Sequence, residues 1–262
     1  MFIAGVLAIL IIFLIYIKSS RIYENFSAAP EKSIELVVAR YNEDLNWLNN
    51  NPFNKYPVIV YNKGPNDNFT KWKNIKEVVK VDNVGKCDHT FLYHVIRNYN
   101  RLADVTVFLP GSADMDFKYD KSKRLIAAVE KHGDTVFIGP GHEDVKRDLY
   151  EFKLDEWTTS HGKNKAANSE STLELASVRP FGKWFESRFG NIKIKHVSYA
   201  GILAISKSDI QQHPVSRYKN LISELENTSN PEVGHYFERS WAAVFHPLQN
   251  VLHINSAKLG YY

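Results

Sequence analysis

The sequence predicts an α/β fold in which helices cover both faces of a largely parallel sheet. Strand-like runs alternate with helical patterns between residues 34 and 138, and the runs are apolar throughout. Continuously apolar strands are typical of sheets buried on both faces, and alternation with helices favours parallel pairing. Ligands of such sheets bind beyond the carboxyl ends of the strands, so the loops there are the candidate functional positions.

The predicted elements follow one another without an internal repeat. Runs rich in Val and Ile predict strands over 34–39, 58–61, 78–81, 105–109 and 135–138. Apolar residues at helical spacing predict helices over 88–102, capped by Asp88, and over 119–132. A short helix over 43–48 is expected to stop at the Asn49–Pro52 cluster.

The second half of the chain has a weaker pattern. A loop is expected after residue 140, then helical sequence over 171–189 that is broken near Pro180. The remaining predicted elements are strands over 192–197 and 201–205 and helices over 214–225 and 231–245.

Length, charge and cysteine content limit the possible functions. A chain of 262 residues with 44% hydrophobic content can form one sizeable core but not two generous domains. The net charge of +4 is spread along the chain, which gives no support to a nucleic-acid partner. Cys87 is the single cysteine, so the chain has no intrachain disulfide, and a small buried residue is expected there rather than a nucleophile.

The N-terminus predicts a single-pass membrane anchor. Residues 1–17 are continuously apolar, which is near the lower limit for a membrane-spanning helix. The basic segment that opens a signal peptide is absent, so an uncleaved anchor is favoured over a cleaved leader. A polar stem over 18–33 and one folded domain over 34–262 are expected to follow.

The side of the membrane on which the domain lies stays open. Lys18 and Arg21 flank the apolar run and would leave the domain in the cytosol. Three glycosylation sequons, which begin at Asn25, Asn68 and Asn227, favour the lumen of the ER or Golgi.

Two acids on one loop form the candidate metal site. Asp114-Met115-Asp116 follows the apolar run over 105–109, and the loop Asn83-Val84-Gly85-Lys86 with its helix precedes that run. Alternate acids on a loop can face one hard divalent cation, and such a cation commonly bridges an enzyme to a diphosphate. Asp114 and Asp116 are therefore predicted to bind Mn²⁺ or Mg²⁺.

Polar side chains at the ends of the first three strands form the candidate donor site. A guanidinium can meet a phosphate, glycine permits close approach of the backbone, and lysine offers a cation. The residues predicted to bind the donor are Arg40, Asn42, Asp44, Lys63, Asn83, Gly85, Lys86 and His89. A solvated loop at 40–44 and a simple glycine turn at 83–86 are the alternatives.

Glu238 is the candidate catalytic base. It lies in a helical pattern whose other face is mostly apolar, and a carboxylate near such a surface can deprotonate an acceptor hydroxyl. An ion pair with a nearby basic residue is the alternative. Glu232 is a second candidate, although the helix macrodipole by itself favours an acid at that position. Three tryptophans, Trp157, Trp184 and Trp241, are candidates for stacking on sugars or for core packing.

Taken together, these segments resemble glycosyltransferases of the GT-A type, especially those of family 2. The run Val37–Glu43 looks like an opening strand that ends in Tyr-Asn-Glu, and the order of features from Asn83 to Asp116 is similar to theirs. A closer resemblance, over roughly residues 34–246, is to an uncharacterised glycosyltransferase-like family of unknown function. The segments that resemble this family are Arg40–Trp47, Tyr61–Gly64, His89–His94 and Phe237–Trp241.

The resemblance implies a Rossmann-like GT-A domain behind a transmembrane helix. It implies a metal-dependent hexosyl- or pentosyltransferase that moves a sugar from a nucleotide-sugar donor to a glycan or other hydroxyl acceptor, with inversion. The chain departs from the pattern at Asn62-Lys63, where family 2 has an acid, and at Gly85-Lys86-Cys87, where the closer family has Gly-Arg-Glu. These departures motivate an alternative, a non-catalytic membrane-tethered binding protein on a degenerate fold.

Overall fold

A seven-stranded sheet organises the part of the chain that the structure, a computed structural model, describes: residues 32–140, 149–167 and 172–256. The strands are β1 (Ile34–Arg40), β2 (Val58–Asn62), β3 (Ile75–Lys80), β4 (Val105–Pro110), β5 (Thr135–Gly139), β6 (Leu203–Ser206) and β7 (Val251–Asn255). Their order in the sheet is β3-β2-β1-β4-β6-β5-β7.

The sheet is mostly parallel, as predicted. β1 pairs in parallel with β2 and with β4, and β5 pairs in parallel with β7. β6 is the exception, since it runs antiparallel between β4 and β5. The strand order therefore reverses between β1 and β4, which are direct neighbours in the sheet.

Helices cover both faces of this sheet. The described helices are α1 (Lys86–Asn98), α2 (Asp116–His132), α3 (Gly162–Ala167), α4 (Phe181–Phe189), α5 (Lys207–Gln211), α6 (Val215–Ile222) and α7 (Glu232–Val244). Val37 of β1 packs in an apolar cluster with α1, α4, α6 and α7, whereas Val38 packs in a second cluster with α2. Successive strand residues point to opposite faces, so the apolar run in β1 fills two cores at once.

Several predicted boundaries were wrong. The helix expected over 43–48 is a short 3-10 helix, Asn46–Asn49. α1 begins at Lys86, so Asp88 is its third residue rather than its cap. The helix expected over 171–189 is confined to Phe181–Phe189, because a proline disfavours helical backbone in the residue before it.

One strand prediction was wrong, and one strand was missed. Residues 192–197 form no strand. Ile194 and Val197 are buried there without strand pairing. β7 was not predicted; it lies at the edge of the sheet, and its residues are half-buried.

Within the described residues, no helix has the length and apolar character needed to cross a bilayer. The anchor predicted over residues 1–17 lies outside the described residues, as does nearly all of the predicted stem.

The buried carboxylate of Glu232 holds the irregular segments before α4 against α7. It accepts hydrogen bonds from Leu154 N at 2.8 Å, Ala176 N at 2.9 Å and the Tyr236 hydroxyl at 2.9 Å. Arg179 Nε lies 2.9 Å from Glu232 Oε2, and the Glu232 side chain is 0% exposed. Glu232 is therefore a structural residue, and its side chain does not face the candidate site described below.

Replacement of Glu232 by Ala is expected to destabilise the fold by about 3 kcal/mol or more, because it leaves the buried N–H of Ala176 and the half-buried N–H of Leu154 without acceptors. Urea unfolding measures the change. Glu77→Ala is the matched control: this acid pairs with Arg97 at the surface and should cost at most about 1 kcal/mol. Equal losses in the two variants would contradict the structural role of Glu232.

Candidate functional site

A cleft of about 330 Å³ opens at the carboxyl ends of β1 and β4. The cleft walls come from the loop after β1, the loop after β4, the first turn of α1 and one side of α7. The irregular segment 157–160 and Asn164 of α3 also line it. A crevice is expected at this position, because the connections from neighbouring strands leave in opposite directions where the strand order reverses.

Five of the predicted site residues line this cleft. They are Arg40, Lys63, Asn83, Lys86 and Glu238. The other six, which do not line it, are Asn42, Asp44, Gly85, His89, Asp114 and Asp116.

The Arg40 guanidinium holds two loops together at the cleft wall. Its Nε donates to Glu43 O at 2.7 Å, and its Nη1 donates to Asn62 Oδ1 and to Asn66 O, each at 2.8 Å. Arg40 is 1% exposed, and burial lowers its pKa. Its donors thus join the loop after β1 to the loop after β2, which is a positioning role.

The Glu43 carboxylate fixes the loop after β1 from within. It accepts from Tyr41 N at 2.7 Å and Asn42 N at 3.0 Å, and from Asn164 Nδ2 at 2.5 Å. A Cβ at Gly111 would lie 2.6 Å from Glu43 Oε2, so the close approach of the two loops requires a glycine there. Glu43 therefore ties the segment containing Asn164 to the cleft.

Lys86 reaches the cleft from the first position of α1. Gly85 precedes it with φ 57°, and a Cβ at Gly85 would lie 2.6 Å from Leu225 Cβ. Lys86 Nζ lies 2.8 Å from His235 Nε2 and 3.1 Å from the centroid of the Trp157 ring. Burial lowers the Lys86 pKa to about 7, against the opposing charges of Asp88 and Glu238.

The groups around Lys86 are also shifted by burial. Burial, with Lys86 and Arg239, lowers the His235 pKa to about 2, so this ring is neutral and its Nε2 can accept from the ammonium. Asp88 is 6% exposed and accepts from Trp241 Nε1 at 3.1 Å. Burial, together with the Glu238 charge, raises the Asp88 pKa well above its ordinary value.

A peptide group lies between Glu238 and the buried ammonium of Lys121. Glu238 Oε1 accepts from Ala200 N, and Lys121 Nζ donates to Tyr199 O, on the same peptide group, at 2.6 Å. Glu238 Oε2 lies 4.0 Å from His235 Nδ1 and 3.8 Å from Arg239 Nη1. One carboxylate oxygen is thereby fixed, whereas among the described residues the other makes no hydrogen bond.

Asp114 and Asp116 are exposed at the start of α2 and do not line the cleft. Asp116 is the first residue of that helix, where the macrodipole favours an acid. In residues 32–140, 149–167 and 172–256, no group of three or more His, Cys, Asp or Glu side chains is placed to hold a metal ion. Neither acid lines the cleft, and metal binding by this pair stays a prediction.

The remaining predicted residues outside the cleft have packing or surface partners. His89 stacks on Tyr93 with ring centroids 6.0 Å apart, and burial lowers its pKa to about 4. Asp44 pairs with Lys163 at 2.9 Å, and this hydrogen bond lowers the pKa of the carboxyl.

Several cleft residues had no predicted role in binding or catalysis. They are Glu43, Asp88, Ser112, Lys118 and His235. Asp88 and Lys118 each lie in the first turn of a helix that follows a strand end. That position was the one feature of the sequence that could have identified them as site residues. Of the three candidate tryptophans, Trp157 lines the cleft and is 37% exposed, whereas Trp184 and Trp241 are buried in the core.

The fold and the cleft define an α/β protein with a mostly parallel sheet and a crevice at the point where the strand order reverses. The chain belongs to the family described as proteins of unknown function, DUF3431, whose model matches residues 36–257. No match was found among curated proteins. The match confirms the resemblance to a family of unknown function. It says nothing about sugar transfer.

The stability of the chain is expected to rise between about pH 7 and 9. Burial lowers the Lys121 pKa from 10.5 to about 7, so over this interval the unfolded chain binds a proton that the folded chain lacks. Lys121→Met should reduce the slope of unfolding free energy against pH by up to about 1.4 kcal/mol per unit. Urea unfolding at several pH values measures this slope.

Lys123→Met is the control for this prediction, because Lys123 is on the same helix with 40% of its side chain exposed. It should keep the slope of the unchanged chain. If Lys121→Met also keeps that slope, the buried ammonium does not have the assigned pKa.

Proposed function

We propose that this chain is a glycosyltransferase that moves a sugar from a nucleotide-sugar donor to a hydroxyl group of a glycan or another acceptor. One observation carries the proposal: a fixed carboxylate, Glu238, and an ammonium group, Lys86, line one cleft at the strand-order reversal. Nucleotides bind at this position in other doubly wound sheets. The resemblance of the loop sequences to GT-A enzymes supports the same reaction class.

Glu238 would act as the general base. The Ala200 amide fixes Oε1, which leaves Oε2 to accept the proton of the acceptor hydroxyl. As that proton leaves, the acceptor oxygen forms a bond to the anomeric carbon. The bond from this carbon to the diphosphate oxygen breaks, and the nucleoside diphosphate departs with the electron pair. Attack from the face opposite the leaving group inverts the anomeric centre.

Trp157 would supply the surface on which a ring of the substrate stacks. The Lys86 ammonium lies against the Trp157 ring, which is nevertheless 37% exposed at the cleft. An aromatic ring that is half open to solvent can pack against the apolar face of a sugar or a base.

Metal and membrane attachment stay predictions from the sequence. A Mn²⁺ or Mg²⁺ ion at Asp114 and Asp116 has no part in the steps proposed here, because neither acid lines the cleft. Tethering by the apolar residues 1–17 would place the enzyme on a membrane, with its side undetermined.

The second candidate is a non-catalytic binding protein on a degenerate transferase fold. The exposure of Asp114 and Asp116 favours it, since a transferase of this type is expected to bring that pair to the donor. The two candidates share a ligand site and differ in turnover.

A panel of nucleotide sugars, screened by calorimetry and by release of nucleoside diphosphate, tests the proposal on the full-length chain in nonionic detergent. Glu238→Gln should lower turnover by about 10²- to 10⁴-fold, because the amide cannot take up the acceptor proton. Donor affinity should change little, since the amide oxygen can still accept from Ala200 N. Glu226→Gln, at an exposed site, is the control.

Three outcomes separate the candidates. Full activity in Glu238→Gln would remove this residue as the base. Donor binding without turnover would favour the binding protein. Failure of every nucleotide sugar to bind would overturn the glycosyltransferase proposal.

A further inference from the structure

Two lysine side chains reach the cleft from the first turns of two different helices. Lys86 is the first residue of α1 and Lys118 is the third residue of α2, and both line the cleft. Among the residues that the structure describes, neither ammonium group has a carboxylate within 4.0 Å. A cation in the first turn of a helix is unfavourable with respect to the macrodipole, so both charges stand where an external anion would stabilise them.

The acids around these two lysines form no ion pair with them. Asp88 and Glu238 face Lys86. Burial favours the uncharged form of Asp88, and among the described residues Glu238 makes no ion pair with Lys86 within 4.0 Å. Asp116, in the first turn of α2, is exposed and does not line the cleft. The carboxylate of Glu43 already accepts three hydrogen bonds from N–H groups of the protein.

Ser112 adds a hydroxyl donor beside Lys118. Its oxygen accepts from Lys118 Nζ at 3.1 Å, and Ser112 is 7% exposed at the cleft. Because the oxygen accepts from the ammonium, its own hydrogen is available to a ligand.

We infer that Lys86, Lys118 and Ser112 form a binding subsite for a phosphate-type anion, which needs no divalent cation. Ammonium and hydroxyl groups are common partners of phosphate oxygens. The inference rests on the proposed function only for the identity of the anion, which in that case is the diphosphate of the sugar donor. The chain's own ammonium groups would then stabilise the charge that develops on the leaving group.

Binding at this subsite should be coupled to proton uptake. The groups that face the Lys86 side chain are Cys87 and Asp88 on the same helix, His235 and Glu238 on α7 and Trp157 before α3. Lys63, after β2, donates to the backbone carbonyl of Lys86. Burial lowers the Lys86 pKa to about 7, so part of the population is neutral near pH 7.5. A bound anion favours the charged form, and Lys86 then takes a proton from the buffer.

Calorimetric titration of the full-length chain in nonionic detergent with inorganic pyrophosphate, UDP and uridine tests the inference. The titrations are made near pH 7.5 with EDTA and repeated in two buffers of different ionisation enthalpy, which yields the number of protons taken up. Pyrophosphate and UDP should bind in EDTA with uptake of a fraction of a proton. Uridine, which lacks phosphate, should bind more weakly than UDP.

The variants assign the effect to the two lysines. Lys118→Met should weaken pyrophosphate binding about tenfold and keep the proton uptake, whereas Lys86→Met should weaken it and abolish the uptake. Lys118→Arg keeps the charge and should restore most of the affinity. Lys123→Met, on the same helix as Lys118, should bind like the unchanged chain.

Circular dichroism of each variant shows whether a loss of binding reflects unfolding, and Lys118→Arg supplies a second reading if Lys118→Met does not fold. The inference is overturned if pyrophosphate fails to bind in EDTA, or if folded Lys86→Met and Lys118→Met bind as well as the control. Nucleotide sugars that bind without help from these lysines would overturn the subsite and leave the proposed function standing. If pyrophosphate binds through the lysines but no nucleotide sugar binds, the subsite stands and the proposed function is overturned.

Discussion

The parallel pairing of β1 with β2 on one side and β4 on the other is the constraint on which the rest of the structure depends. Three strand ends meet at one edge of the sheet because their directions agree. The loops that follow them cannot all turn the same way, since the strand order reverses between β1 and β4. The cleft is the space that this reversal leaves, and the Arg40 guanidinium and the Glu43 carboxylate keep its first wall in place.

Desolvation controls the charges inside that cleft. Burial is the largest cause of the lowered pKa values of Lys63, Lys86 and His235, and of the raised pKa of Asp88. Each group is displaced toward its neutral form because the surrounding protein solvates charge poorly. A charged ligand would shift the pKa values of all four groups together, so ligand binding and protonation are linked in this site.

The described residues between β5 and α4, which include α3, complete the site through contacts that are distant in sequence. Asn164 donates to Glu43, Lys163 pairs with Asp44, and the Lys86 ammonium lies against the Trp157 ring. At the other end, Glu232 holds Leu154 and Ala176 against α7. Side-chain hydrogen bonds and ion pairs thus fix α3 and the described irregular residues on either side of it.

The sequence by itself determined the α/β class, the parallel core and the five strands of the first half, because apolar runs and helical spacing report local burial directly. It also predicted Arg40, Lys63, Asn83, Lys86 and Glu238 as site residues, and all five line the cleft.

Tertiary structure decided the rest. β7 and the antiparallel β6 depend on which edges of β4 and β5 are open. The first turn of α2 brings Lys118 into the cleft wall and leaves Asp116 outside it. His235 lines the cleft only because the folded chain brings α7 to the strand ends, and the folded chain also placed Trp157, alone of the three candidate tryptophans, in the cleft wall.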